Sequence, residues 1–150
     1  MRPPRKHNFF LIVVPFLTAI SCFAALGGDV NSIVADQTHM RAQRRITQTN
    51  AYAVHEMQAD TGTVVREFVS PEGKVFGVTW EGPVRPDLPQ LLGSYYDEYA
   101  RSAPTRRSHH PVTIQTPNVL VQFGGHQRAL TGRAYVPQMV PQGVRVEEIK

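Results

Sequence analysis

Few residues of this chain stand at a spacing that could do chemistry. His55 is followed by Glu56, and such a pair would suit a general base steadied by a carboxylate. Both lie in a run that alternates like a strand, however, which favours reading His55 as a half-buried strand residue. Asp60-Thr61-Gly62 is the tripeptide of aspartic proteases, yet those enzymes need two carboxylates sharing a proton, and no second copy occurs. Asp and Gly are also what a hairpin turn demands. His109-His110 with His126 could offer imidazoles to a transition metal. Adjacent histidines in an extended loop point to opposite sides, and no cysteine or carboxylate pair joins them. Gly124-Gly125 lacks the following helix start and the Lys-Ser/Thr pair of a phosphate loop, so it reads as a turn. Arg66, Arg128 and Arg133 would line an anion site if the fold brought them together, which their spacing does not decide. The residues therefore assign no catalytic group, no metal ligand and no cofactor site. They favour a non-catalytic binding, inhibitory or assembly module, with a small hydrolase built on His55 and Glu56, or a metal-binding protein using His109 and His110, as the alternative.

The elements that would position these residues centre on Tyr52 to Trp80. Three apolar-rich runs, Tyr52 to Met57, Thr63 to Val69 and Val75 to Trp80, are joined by Ala59-Asp60-Thr61-Gly62 and Ser70-Pro71-Glu72-Gly73. Pro71 presets the second turn position and Gly73 supplies a permissive fourth, so the chain reverses tightly and the three runs form a β-meander. By the period of two, Phe76, Val78 and Trp80 share a face, and Val65, Glu67 and Val69 oppose Val64, Arg66 and Phe68. One face is apolar enough to need a cover. Leu88, Leu91, Leu92, Tyr95, Tyr96 and Tyr99 keep helical spacing, after Asp87 as cap, and predict a helix from Leu88 to about Ala100 packed on the meander. Ser32 to Gln43 predicts an earlier helix, ending in Arg41, Arg44 and Arg45 where cations complement its dipole or form a small basic patch. Ile46 to Asn50 reads as a connector and Arg101 to Pro111 as a loop. Val119 to Phe123 and Arg128 to Val136 suggest a second hairpin, and a tail punctuated by Pro137, Pro141 and Gly143 is expected to run irregularly over the surface. The fold class is α+β: an antiparallel meander covered by an amphipathic helix, with a C-terminal hairpin.

The N-terminus carries an address. Arg2, Arg5 and Lys6 precede an apolar run from Phe9 to Ile20, which is about a dozen residues and short of the roughly 20 a spanning helix needs. Small residues follow, so a signal peptide over 1–24 is expected, with cleavage after Ala24. Ala19-Ile20-Ser21-Cys22 offers the alternative of a lipoprotein anchored through Cys22. Three of the sixteen basic residues lie in that leader and all twelve acidic ones lie after it, leaving thirteen against twelve. A balance of +1 gives no nucleic-acid footprint. The remaining residues, about 125, suit one small domain, 25–150, without a disulfide and held by packing alone. The expected location is periplasmic or secreted, with an envelope protein or a glycan as partner, and a partner protein would add to an exposed edge at the meander's outer strand or at Val119 to Phe123.

Val54-His55-Glu56, Gly62 to Glu67, Val69-Ser70-Pro71, Pro86 to Gly93, Gly124-Gly125-His126 and Gly132 to Pro137 together resemble a family of small exported Gram-negative bacterial proteins catalogued as a domain of unknown function (family 2844). That likeness covers nearly all the chain after the leader and implies no activity, cofactor or catalytic residue. The meander is also similar to PepSY-type domains of secreted proteins, a likeness that implies an inhibitor or binding module.

Overall fold

A computed structural model describes residues 26–104 and 110–150. Its frame is one seven-stranded antiparallel sheet, order β1-β2-β3-β4-β7-β6-β5. The strands are β1 (Gln43–Gln48), β2 (Ala53–Gln58), β3 (Val64–Val69), β4 (Val75–Gly82), β5 (Val112–Gln115), β6 (Leu120–His126) and β7 (Ala129–Tyr135). Two meanders, β1 to β4 and β5 to β7, meet at a seam between β4 and β7. The expected reversals form. Gly62 N–H donates to Ala59 C=O at 3.0 Å, and Gly73 N–H to Ser70 C=O at 2.9 Å.

Helices cover one face, giving the α+β architecture. α1 (Val30–His39) starts one turn earlier than its pattern suggested, because Asp29 and not Ser32 is the cap: Ser32 N–H donates to Asp29 Oδ1 at 3.1 Å. Its end also comes early, because Arg41 turns left-handed and Gln43 already belongs to β1. The aromatic stripe forms as expected but not as one smooth helix. α2 (Leu88–Leu92) passes through a 3₁₀ turn (Gly93–Tyr95) into α3 (Tyr96–Ser102), the break falling at Gly93. Leu88, Leu91, Leu92 and Tyr99 are buried with Ile33 of α1 against Met57, Val65, Val78 and Trp80, while Tyr95 and Tyr96 are half-buried. Gly132 stands directly opposite Trp80, and a Cβ there would lie 2.1 Å from the indole ring. The missing side chain is the room the indole occupies.

Four expectations fail for identifiable reasons. Phe76 does not share a face with Val78 and Trp80. The register jumps between Phe68/Gly77 and Val69/Val75, a bulge that leaves Phe76 the extra residue and turns it to the other face. There it packs with Phe68, Tyr135 and Ile149. Gly124 and Gly125 do not end their strand: β6 runs to His126, and Gln127 and Arg128 form the turn. Gly125 has φ +100 and lies so close to β7 that a Cβ would meet Ala129 C=O at 2.1 Å. Ile46 to Asn50 is no connector, since most of it belongs to β1, and Val112 to Gln115 adds a further strand directly after Pro111. Finally, the tail is not loose. Two 3₁₀ turns (Pro137–Met139, Val146–Glu148) lay Val140, Val144, Val146 and the fully buried Ile149 over the sheet's second face.

Truncation separates the cover from its surroundings. Leu92→Ala should lower unfolding free energy by about 2–5 kcal/mol, the usual range for a leucine lost from a core, whereas Val34→Ala, at a side 49% exposed, should stay within about 0.5 kcal/mol. Urea midpoints of the two variants check this; equal midpoints would mean that α2 does not cover the sheet.

Candidate functional site

Three places on the frame gather polar side chains: a sealed acid cluster, an open cleft and a free edge.

The cluster lies under α1. His55 of β2 faces Glu67 of β3 directly across the ladder, and Asp36 of α1 meets Glu67 from above. Asp36 and Glu67 are fully buried and His55 nearly so. Gln90 of α2 donates its amide to Asp36 Oδ1. As two carboxylates, Asp36 Oδ2 and both Glu67 oxygens have no hydrogen-bond donor, and His55 Nδ1 has no partner either. A proton on Glu67 resolves the acid pair, because its O–H then donates to Asp36. Burial is the chief cause of the shifts that support this: it pushes Asp36 up to about 6 and Glu67 well above the usual carboxylate range. The contact between the two carboxyls draws Asp36 down and drives Glu67 further up. Burial, then the positive charge of Arg44, holds His55 below its ordinary value, so the imidazole is neutral. Such a cluster can fix α1 and α2 on the sheet, but it offers no exposed base.

Glu56 is not part of it. Strand alternation puts Glu56 on the other face from His55, where its Oε2 accepts from Arg66 Nε at 2.7 Å. That bond belongs to a row of polar residues, one per strand, in register across the whole sheet: Arg45, Glu56, Arg66, Thr79, Arg133, Gln122 and Thr113. Beside the row the tail covers the aromatic half of this face; on its other side opens a cleft of about 530 Å³. Arg66, Thr79, Gln122, Thr131 and Arg133 line it together with the apolar Trp80, Phe123 and Ile149 and with Glu81 and Lys150. Arg133 Nε donates to Gln122 Oε1 at 2.6 Å, and its Nη1 donates to Val146 C=O at 3.0 Å, tying tail to sheet. Of the three arginines the sequence singled out, Arg66 and Arg133 converge here. Arg128 sits in the β6–β7 turn, outside the lining.

The edges differ from expectation too. β2 is covered by β1, and β6 lies between β7 and β5, so neither strand expected to be open is an edge. β5 is short, follows Pro111 and lies against α3. β1 is longer, and five of its six residues are exposed, Ile46 at 53%.

The remaining candidates scatter. Asp60-Thr61-Gly62 is the turn between β2 and β3. His109 lies outside the described residues, His110 precedes β5 and His126 ends β6. Among the described residues no three of His, Cys, Asp and Glu gather as metal ligands, and no helix is long and apolar enough to cross a membrane. Residues 1–24, with Cys22, are outside the described part. Sequence reasoning missed the Asp36–Glu67 pair. Its signal was Glu67 itself, alternating with Val65 and Val69 on the face that needed a cover.

The helix-covered sheet makes this an α+β protein. The chain belongs to the family described as protein of unknown function (DUF2844), which matches residues 22–149. No curated protein and no solved structure matches it.

The acid pair predicts a pH dependence. Carboxyl pKa values raised by folding add stability that is complete below the unfolded range, about 4. That stability is lost as pH rises through about 6 for Asp36 and, for Glu67, through a value well above the usual carboxylate range. His55 has the opposite sign, since a histidine kept neutral by the fold loses stability for it as pH falls below 6.5. Glu67→Gln keeps the shape and a donor but removes the ionisation, so its stability relative to the unaltered protein should climb between about pH 5 and about pH 8. Urea midpoints across that range check the sign; a difference that stays constant would mean that Glu67 does not carry the proton.

Proposed function

We propose that this protein is a non-catalytic binding module of the bacterial envelope, exported by its leader, and that it takes an extended segment of a partner protein onto β1. The observation that carries the reading is the asymmetry of the sheet's edges. A terminal strand presents alternate N–H and C=O groups outward, and protein edges are usually blunted by shortness, proline, a bulge or a covering element. β5 has three of these features: it is short, it follows Pro111 and α3 lies against it. β1 has six residues, no proline and a regular register with β2 throughout. Strand addition there would give main-chain hydrogen bonds, with side-chain contacts setting specificity. Arg44 and Arg45 stand on opposite faces of β1 and favour a partner strand carrying acidic residues, while disfavouring a second copy of β1 itself. A hydrolase reading has less support, since His55 and Glu56 face opposite ways and His55 is nearly buried.

In living cells, a photocrosslinking residue at Ile46 should yield a discrete protein adduct that the Arg44→Glu, Arg45→Glu double variant abolishes. The same residue at Val121, inside the sheet, should give none. An adduct unchanged by charge reversal, or absent at Ile46, would overturn strand addition at β1. Intact mass of the envelope form should begin near Ala25; a chain that keeps Arg2 would overturn export by cleavage, and a lipid adduct on Cys22 would replace it with an anchored form.

A further inference from the structure

Strand addition at β1 does not by itself say which sequence is added, but the free edge has a readable pattern. Thr49 N–H donates to Tyr52 C=O at 2.9 Å, and Ala59 N–H donates to Thr63 C=O at 2.9 Å. These bonds close the β1–β2 and β2–β3 ladders, and in an antiparallel ladder the backbone groups of successive residues point to opposite sides. Counting along either ladder gives one result: Gln43, Arg45 and Thr47 bond β2, while Arg44, Ile46 and Gln48 turn their N–H and C=O groups outward. Their side chains share a face with their partners Met57, His55 and Ala53, the face under the helical layer.

That face has an open corner between β1 and α1. Asp36 and His39 turn toward α2, the first through Gln90 and the second 3.8 Å from Asp87. At about 100° per residue, Val34 lies roughly 200° around the helix from Asp36, on the flank away from α2. Val30, one turn earlier, lines a cleft of about 310 Å³ with Gln48, Ala53 and His55, so this flank faces β1 and β2. The end of α1 leads directly into the start of β1, so the two run in opposite directions. Four helical residues rise about 6 Å and two strand residues about 6.6 Å, which puts Val34 at the height of Ile46 when Val30 is level with Gln48. Val30, Val34 and Ile46 are three of the four large apolar side chains exposed among the described residues. The corner is also positive. Ion pairs among the described residues join His39 to Asp87, Arg66 to Glu56 and Arg145 to Glu148, which leaves Arg44 and Arg45 unmatched.

We propose that the segment β1 takes is an antiparallel strand in which a large apolar residue is followed by two acidic ones, the apolar side chain opposite Ile46 and against Val34, the acids opposite Arg45 and then Arg44. This rests on strand addition at β1 and specifies its sequence. The antiparallel direction continues a sheet in which every pairing is antiparallel. The residue opposite Ile46 exchanges both backbone bonds with it, and its side chain covers the apolar corner. The first acid falls on the opposite face, where Arg45 begins the row that continues in Glu56 and Arg66.

Fluorescence anisotropy of the full chain with the end-blocked peptide Thr-Thr-Leu-Glu-Glu-Thr tests this. The peptide should bind, and its reversal, Thr-Glu-Glu-Leu-Thr-Thr, should bind at least fivefold more weakly. Serine for the leucine, or lysines for the glutamates, should each cost at least fivefold. N-methylation of the leucine should cost at least tenfold, because its N–H faces Ile46, whereas N-methylation of the first glutamate, whose N–H faces away, should change affinity less than twofold. Val34→Asp should weaken binding at least fivefold with thermal unfolding unchanged, and Val84→Asp, at the fourth exposed apolar residue, should leave it unaltered. Equal binding of the reversed or serine peptide, indifference to Val34→Asp, or no binding would overturn the proposed sequence. A photocrosslink from Ile46 that still forms in cells would then leave strand addition standing, and its loss as well would remove both.

Discussion

Two carboxyl groups are buried where the helical layer meets the sheet, and the rest of the structure is arranged around that cost. A lone ionised carboxylate in such a place costs several kcal/mol. Asp36 and Glu67 avoid most of it by sharing a proton, which Glu67 is placed to hold. The pairing demands that α1 sit over β3 at one height and one rotation. Gln90 then fixes α2 to the same point through Asp36. A greasy contact between helix and sheet would tolerate sliding; a buried acid pair with one amide donor does not. Two helices far apart in the chain are thereby set in one orientation on the sheet.

That constraint explains why the opposite face looks so different. With the helical layer fixed on one side, the other is divided between the aromatic half under the tail and a polar row. Phe68, Phe76, Tyr135 and Ile149 form the aromatic part, into which the bulge in β4 turns Phe76. Arg133 lies at the boundary. It reaches Gln122 along the row and the carbonyl of Val146 in the tail, so one side chain both closes the aromatic half and leaves the polar half open.

How much of this was legible follows from which forces act locally. The meander, its two turns and the aromatic stripe could be read because alternation, Pro71, Gly73 and helical spacing are properties of neighbouring residues. β1 was hidden because an edge strand needs no apolar face, and Gln43 to Gln48 has only Ile46 to suggest one. β6 past Gly124 was hidden because its glycines answer to the closeness of β7, a partner that the local sequence does not show. The acid pair joins residues from an early helix and the third strand, and only the oddity of Glu67 among valines hinted at it. The polar row could not be seen at all, since it is a property of six registers at once.

The seam between β4 and β7 divides the chain in a way that matters for time as well as shape. Each meander is built from neighbours in sequence, so its pairings close short loops and cost little entropy. Joining Gly82 to Leu130 closes the whole span between them in a single event, and non-local closures of this kind are what slow the folding of β-rich proteins. The cluster of Phe68, Phe76, Tyr135 and Ile149 straddles that seam and depends on the tail. A nascent chain can therefore form its first meander early, but it cannot complete the seam's cover until Ile149 has been made. Until residues 129–135 of β7 have been made, the edge of β4 is as open as β1 is in the finished protein.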